Sequence, residues 1–165
     1  MKKLILILVV LVGAVSAVTW ACWPPPAEFD DSKFTIRFPP NAGAAEDYDS
    51  NPDSESTMHH RCVKLNGLTY QISYLDHPNV LSKSEMEEIL APTKTLVGLK
   101  KWEMSTLAGS PSIQATTKQH GIFMVSRYLI VERQRLYILT VGGFKSFPLK
   151  PKTGTEFFDS FKIEE

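Results

Sequence analysis

The stretch Leu68-Thr69-Tyr70-Gln71-Ile72-Ser73-Tyr74 decides the fold of this chain. Its large apolar side chains alternate with small polar ones, which is the period of a β-strand whose two faces meet different surroundings. The dipeptide Asn66-Gly67 stands directly before it and favours the positive backbone angles of a tight hairpin turn. We therefore predict a hairpin, with its first strand over residues 56–65, that packs one face on a core.

The same alternation predicts further strands on both sides of this hairpin. One strand contains Phe34, Ile36 and Phe38, which share a face. Four more strands are predicted at residues 101–107, 112–118, 122–131 and 135–141. The strand over 122–131 is apolar on both faces, which is typical of a central strand covered on both sides.

Two short helices are the predicted cover for the second face. The first runs over residues 84–90 and begins at a capping box formed by Ser84 and Glu87. The second lies around residues 155–160 and carries aromatic residues that would anchor the chain end on the sheet. The predicted fold class is α+β: an antiparallel sheet of about six to seven strands flanked by helices on both faces, an α/β/α sandwich.

Length and charge limit the function classes. With 165 residues the chain is expected to form one domain with a single core. Its 18 basic and 18 acidic residues balance, and no dense basic cluster is present. Because nucleic-acid binding depends on clustered lysine and arginine that neutralise phosphates, we exclude a nucleic-acid partner.

The first residues have the layout of a secretory signal. Lys2 and Lys3 precede an apolar run over residues 4–12, and the small residues Ser16 and Ala17 follow. The run is shorter than the roughly 20 apolar residues of a membrane-spanning helix. We predict an exported protein, periplasmic or secreted, in which the membrane is contacted only through this leader or a lipid.

The leader implies a division of the chain into three parts. Residues 1–17 are the predicted signal peptide, 18–31 a proline-containing linker and 32–165 the folded domain. Cleavage after Ala17 is the first choice and cleavage after Ala21 the second.

Cys22 leaves two alternatives open. Acylation at Cys22 would make the protein a lipoprotein, although the bulky Trp20 stands where bacterial lipoboxes carry a small residue. Cys22 and Cys62 are the two cysteines of the chain, and export permits a disulfide between them. A free, buried Cys62 remains the competing prediction.

Residues 41–55 read as an exposed acidic loop with oxygen ligands spaced by two. Asp47, Asp49, Asn51, Asp53 and Glu55 resemble the start of a calcium-binding EF-hand loop. The pattern then breaks, because Pro52 replaces the turn glycine and Met58 replaces the bidentate glutamate. A solvated loop is therefore the preferred interpretation.

A second group of metal-ligand candidates follows at once. Met58, His59, His60 and Cys62, with His77 further on, offer the donors that copper or zinc takes. On a strand, however, His60 and Cys62 share one face while His59 lies on the other. At most two or three of these ligands can converge.

No catalytic or cofactor motif is present in the pattern. Ser110 follows Gly109, but the second glycine of a nucleophile elbow is absent and Pro111 stiffens the turn. Gly142-Gly143 reads as a strand exit, since no strand-to-helix phosphate motif surrounds it. We predict no cofactor and no enzymatic activity.

Five segments resemble the PsbP-like family, and more closely a set of small exported bacterial proteins placed in it. They are Phe34-Thr35-Ile36-Arg37-Phe38-Pro39, Tyr70-Gln71-Ile72-Ser73-Tyr74, Leu107-Ala108-Gly109-Ser110-Pro111, Arg135-Leu136-Tyr137-Ile138-Leu139 and Phe157-Phe158-Asp159-Ser160-Phe161-Lys162. The resemblance covers about residues 32–163 and implies an antiparallel sheet with helices on both sides. It also implies a non-enzymatic role, because members such as the PsbP photosystem subunit dock onto larger partners.

The sequence thus predicts a non-catalytic exported module that binds a protein or envelope partner through a sheet edge or its loops. Trp23 and Trp102 are the candidate contact aromatics, with a core position as the alternative for Trp102. The second hypothesis is an exported protein that binds a small ligand or a metal through His59, His60 or the acidic loop.

Overall fold

The computed structural model describes residues 28–31, 33–50, 57–144 and 152–164, and all structural statements concern these residues. The predicted leader, Cys22 and Trp23 lie outside them. The strands are β1 Glu28–Asp31, β2 Phe34–Arg37, β3 Glu46–Ser50, β4 Met58–Leu65, β5 Leu68–Asp76, β6 Leu99–Leu107, β7 Ser110–Gln119, β8 Ile122–Val131, β9 Arg135–Gly143 and β10 Lys162–Ile163. The helices are α1 Lys83–Leu90, a 3-10 helix Ala91–Thr95 and α2 Lys152–Asp159.

Seven strands form one antiparallel sheet in the order β3-β4-β5-β9-β8-β7-β6. The predicted β4–β5 hairpin is confirmed, because Asn66 and Gly67 adopt φ angles of 54° and 78°. β6 to β9 form a meander whose last strand pairs with β5. The hairpin that the sequence predicts most clearly therefore joins the two halves of the sheet.

One face of this sheet, the core face, is covered by a second layer. The layer consists of α2 and a three-stranded sheet in the order β1-β2-β10. The core contains Phe34, Ile36, Phe38, Val63, Tyr70, Ile72, Leu107, Val125, Leu129, Tyr137, Leu139, Val141, Phe157, Phe158 and Phe161. The Phe34 ring meets Tyr137 and Phe161 with centroid distances of 5.3 and 5.8 Å, which joins both parts of the layer to the large sheet.

The opposite face, the second face, is crossed by the segment His77–Gly98, here called the crossover segment. It connects the central strand β5 to the edge strand β6 and contains α1 and the 3-10 helix. Trp102 Nε1 on this face donates a hydrogen bond to Thr93 Oγ1 at 3.0 Å. A Cβ on Gly98, which has φ +73°, would lie 2.2 Å from the Lys118 carbonyl oxygen, so the segment can end against the sheet only at a glycine.

The predicted α/β/α sandwich is wrong, because the protein is mostly β. Each described α-helix has eight residues and is therefore about 12 Å long, whereas seven strands span about 29 Å. Neither helix can form a layer over such a sheet. Three strands complete the layer on the core face instead. Side-chain periodicity predicts that a segment is a strand, but it does not show which of the two sheets the strand joins.

Local boundaries also differ: β1 lies within the predicted linker, β10 was not predicted, and β6, β7 and β9 are two to three residues longer than predicted. Residues 46–50, read as part of an exposed loop, form β3. The capping box that begins α1 is formed by Ser82 and Glu85, two residues before the predicted pair. No helix in the described part of the chain is long and apolar enough to cross a membrane.

Candidate functional site

The candidate ligands of the sequence analysis gather on the edge strand β3 and its neighbour β4. The antiparallel register places Asp47 opposite Arg61, and Asp49 opposite His59. Four of the five side chains of β3 are exposed, and none belongs to the apolar core. Because β3 buries so little apolar surface, its backbone ladder and its polar contacts hold it in the sheet.

On the core-face side of this edge, the acids of β3 pair with the bases of β4. His59 Nδ1 donates to Asp49 Oδ1 at 2.8 Å, and the His59 ring lies 4.9 Å from the ring of Tyr74. Arg61 donates two hydrogen bonds to the Asp47 carboxylate, one from Nε and one from Nη2. The hydrogen bond from Arg61 lowers the pKa of Asp47 below its ordinary value, so the Asp47–Arg61 pair remains charged at neutral pH.

Cys62 is buried and forms no disulfide among the described residues, and Cys22, the other half of the alternative disulfide, lies outside them. The Cys62 Sγ lies 3.9 Å from Glu46, whose carboxylate also accepts from Lys64 Nζ at 3.1 Å. Burial, and then the Glu46 charge, raise the pKa of the Cys62 thiol. A protonated thiol is a poor nucleophile and a poor metal ligand.

On the second face, His60 lies in a hydrogen-bonded cluster. Its Nδ1 is 2.8 Å from Ser73 Oγ and 3.1 Å from Gln71 Nε2, while its Nε2 contacts Ser50 Oγ. The ring of Tyr48 stacks on it at 4.5 Å with an angle of 13°. This is the densest group of polar side chains around any of the candidate residues.

The tautomer of His60 argues against Ser50 as a catalytic serine. The Gln71 amide nitrogen can only donate, so Nδ1 is the acceptor and the proton lies on Nε2. A nucleophilic serine needs an unprotonated nitrogen to take its proton, and here Nε2 donates to Ser50 instead. The accepting Nδ1 faces Ser73 Oγ at 2.8 Å, but Ser73 is buried and its Oγ also accepts from Gln71 Nε2. Burial lowers the pKa of His60, which keeps the ring neutral in this role.

The candidate metal ligands do not converge. As predicted from strand alternation, His59 contacts Asp49 on one face while His60 and Cys62 lie on the other. Among the residues that the structure describes, no group of three or more histidine, cysteine, aspartate or glutamate side chains could hold a metal ion. The remaining predicted calcium ligands, Asn51, Asp53 and Glu55, lie outside the described residues.

The other predicted site residues have ordinary structural roles. Trp102 is partly buried beneath the crossover segment, with Lys94 Nζ 5.1 Å from its ring centre. Ser110 begins β7 after a turn in which Ala108 and Gly109 have positive φ angles. His77 uses its backbone N–H to bind the Gln134 carbonyl at 2.7 Å.

A feature that the sequence analysis missed is the absence of charge over the centre of the second face. The strand registers place thirteen residues of β5, β9 and β8 on it, and none of them has a side chain that is ionisable below pH 9. They are Thr69, Gln71, Ser73, Leu75, Leu136, Ile138, Thr140, Gly142, Ile122, Met124, Ser126, Tyr128 and Ile130. The alternation of each strand contains this signal, but it becomes visible only when the register aligns the strands.

The crossover segment leaves part of this face open. A shallow depression of about 200 Å³ lies there, and its lining includes the side chains that we call the open region: Thr69, Gln71, Ile122, Met124, Thr140 and Phe144. Phe144 is 69% exposed at its rim. A Cβ on Gly142, in its floor, would come 2.8 Å from Met124 Cγ, so glycine lets these strands approach closely. Methyl, thioether and aromatic groups thus surround hydroxyl and amide groups. No side chain that lines the depression is charged, and Lys64 lies opposite Thr69 at its border.

Comparison with known proteins finds no family model that matches the chain. A search of curated proteins returns no match either.

Proposed function

We propose that this protein is a non-catalytic, exported binding module that docks a partner protein on the open region. The observation that carries the proposal is the uncharged centre of the second face, formed by β5, β9 and β8, part of which the described residues leave exposed. A sheet face that only meets water is normally polar and rich in charge. The centres of protein interfaces, by contrast, are depleted of charge and enriched in aromatic residues and methionine.

The composition of the open region supports a protein partner in particular. Phe144 and Met124 offer apolar contact area, and Thr69, Gln71 and Thr140 offer adaptable hydrogen-bonding groups. The leader supports export, and the docking role of PsbP-like proteins agrees with a binding function. The Ser50–His60 pair does not support catalysis, because its proton lies on the histidine.

The test places a charge on the open region. Thr69→Lys puts an ammonium group beside the depression, where a docked partner would have to desolvate it. Val97→Lys is the matched control, because Val97 is 70% exposed at the entry to the opposite edge strand, β6. A photo-crosslinking amino acid in place of Phe144 reports the contact in the cells that make the protein.

We expect one discrete crosslinked partner from position 144, a reduction of at least tenfold in its yield with Thr69→Lys, and no reduction with Val97→Lys. Equal losses with both lysines, or adducts that are unchanged by either, would contradict the proposal.

A further inference from the structure

We propose that β4 is a docking edge for an acidic, extended segment of a partner protein, and that β3 occupies this edge as an internal substitute. This goes beyond the proposed function, because it concerns the pairing of β3 with β4 rather than the open region, which adjoins this edge at Thr69 and Gln71. The mode of binding would be strand addition, in which main-chain hydrogen bonds supply affinity and side chains supply specificity.

The charges on β4 define the chemistry of the segment. His59 and Arg61 project from one face and Lys64 from the other, and β3 meets them with Asp49, Asp47 and Glu46 respectively. Every acid on β3 is thus matched by a base on β4. A partner segment with acids at the same three positions would form the same pairs.

An aromatic residue between the acids completes the pattern. Tyr48 is 48% exposed, and the contact that holds it is its stack on the His60 ring at 4.5 Å. The sequence Glu46-Asp47-Tyr48-Asp49 therefore reads as two acids, an aromatic residue and a third acid. We infer that the partner carries an extended segment of this kind.

β3 can be exchanged because little apolar surface fixes it. Exposed ion pairs contribute about 0–1 kcal/mol each, and they are screened by salt. The neighbouring strand β5, by contrast, is paired on both sides and buries Tyr70 and Ile72 completely in the core. An incoming strand would replace the contacts of β3 without disturbing the core.

Because β3 belongs to the same chain as β4, it competes with any added peptide for this edge, so the experiment has to weaken β3. A linked strand acts at an effective concentration in the millimolar range, so a free peptide binds poorly unless β3 is weakened. The triple variant Glu46→Gln, Asp47→Asn and Asp49→Asn removes the three carboxylates that pair with Lys64, Arg61 and His59, and replaces them with isosteric side chains. The control variant Glu87→Gln, Glu88→Gln and Glu132→Gln removes three exposed charges elsewhere.

The probe is a fluorescent peptide with the sequence of residues 44–51, and its control carries lysine in place of the three acids. We expect the β3 variant to bind the acidic peptide at least tenfold more tightly than the unmodified protein and the control variant do. Hydrogen exchange should rise in residues 46–50 of the β3 variant, while β5 and β9 stay protected.

Three results would overturn the proposal: equal affinity of all three proteins for the acidic peptide, equal binding of the acidic and the lysine peptide, or no binding by the β3 variant at 1 mM peptide. Protection of β5 and β9 shows that the variant is folded, so each result is informative. The open region is tested by a different readout, the crosslink from position 144, so the two proposals can fail independently.

Discussion

The two faces of the seven-stranded sheet are made by the same strands but are fixed by different contacts. On the core face, β5 contributes Tyr70 and Ile72, which are buried under aromatic rings of the covering layer. On the second face, the same strand contributes Gln71 and Ser73, whose partners are other polar side chains. Core packing therefore fixes the first face, whereas polar side-chain contacts hold the second face, part of which the described residues leave exposed.

The largest expected effect comes from breaking the core face. Phe157 is 1% exposed and its ring meets Phe38 and Tyr70 at 5.5 and 5.6 Å. We expect Phe157→Ala to lower the free energy of unfolding by about 3–5 kcal/mol, measured by urea denaturation. Phe144→Ala, on the second face, should change it by no more than about 0.5 kcal/mol. Similar losses in both variants would remove the distinction between the faces.

An intermediate effect is expected at the rim of the core face. Arg135 is 8% exposed, lies 4.7 Å from the Tyr74 ring and binds Asp76 through two nitrogens. We expect Asp76→Asn to cost about 1–3 kcal/mol at pH 7, because a nearly buried guanidinium loses its counter-charge. Urea denaturation at pH 7 measures this loss, and Glu87→Gln on the exposed surface of α1 is the control.

The pH dependence of this pair follows from the pKa of Asp76. The hydrogen bond from Arg135 lowers that pKa below the ordinary value of 3.8. The ionised carboxylate therefore stabilises the folded state above pH 3.8, and this stabilisation is lost as the pH falls through the lowered pKa. The difference between the unmodified protein and Asp76→Asn should shrink at pH 2 to 3; a constant difference would contradict this account.

The smallest effect is expected on the second face, at His60. Burial lowers its pKa below the ordinary 6.5, so the unfolded chain binds the proton more readily. The neutral His60 ring therefore contributes its full stabilisation of the folded state above pH 6.5, and this stabilisation is lost as the pH falls below 6.5. We expect a loss of under about 1 kcal/mol between pH 7.5 and 5.5, because the ring is partly solvated.

Two neighbouring histidines separate this effect from general acid sensitivity. His60→Gln should remove most of the change in unfolding free energy between pH 7.5 and 5.5. His59→Gln should leave it in place, because the His59 ring lies on the opposite face against Asp49. If the unfolding free energy changed equally with pH in both variants, the His60 cluster would not be the source of the pH dependence.

The candidate site was predictable in part. Alternation along β4 alone indicated that His59 would be separated from His60 and Cys62, and the structure confirms it. It could not indicate that residues 46–50 form a strand, because β3 has no apolar face and owes its place to β4. Neither Ser73 nor Gln71 was a candidate, since both reach His60 from another strand.

The sequence by itself determined the strands with alternating or continuous apolar residues and the Asn66-Gly67 turn, because side-chain period and turn geometry are local properties of the chain. Only the tertiary structure decided which strands belong to the second, three-stranded sheet, and that these strands rather than further helices complete the covering layer. It also decided that uncharged residues of β5, β9 and β8 lie side by side on one face. Those outcomes depend on contacts between residues far apart in the chain, such as Phe34 with Phe161 and Asp76 with Arg135. No local pattern encodes such a pairing, because its free energy exists only once both elements are in place.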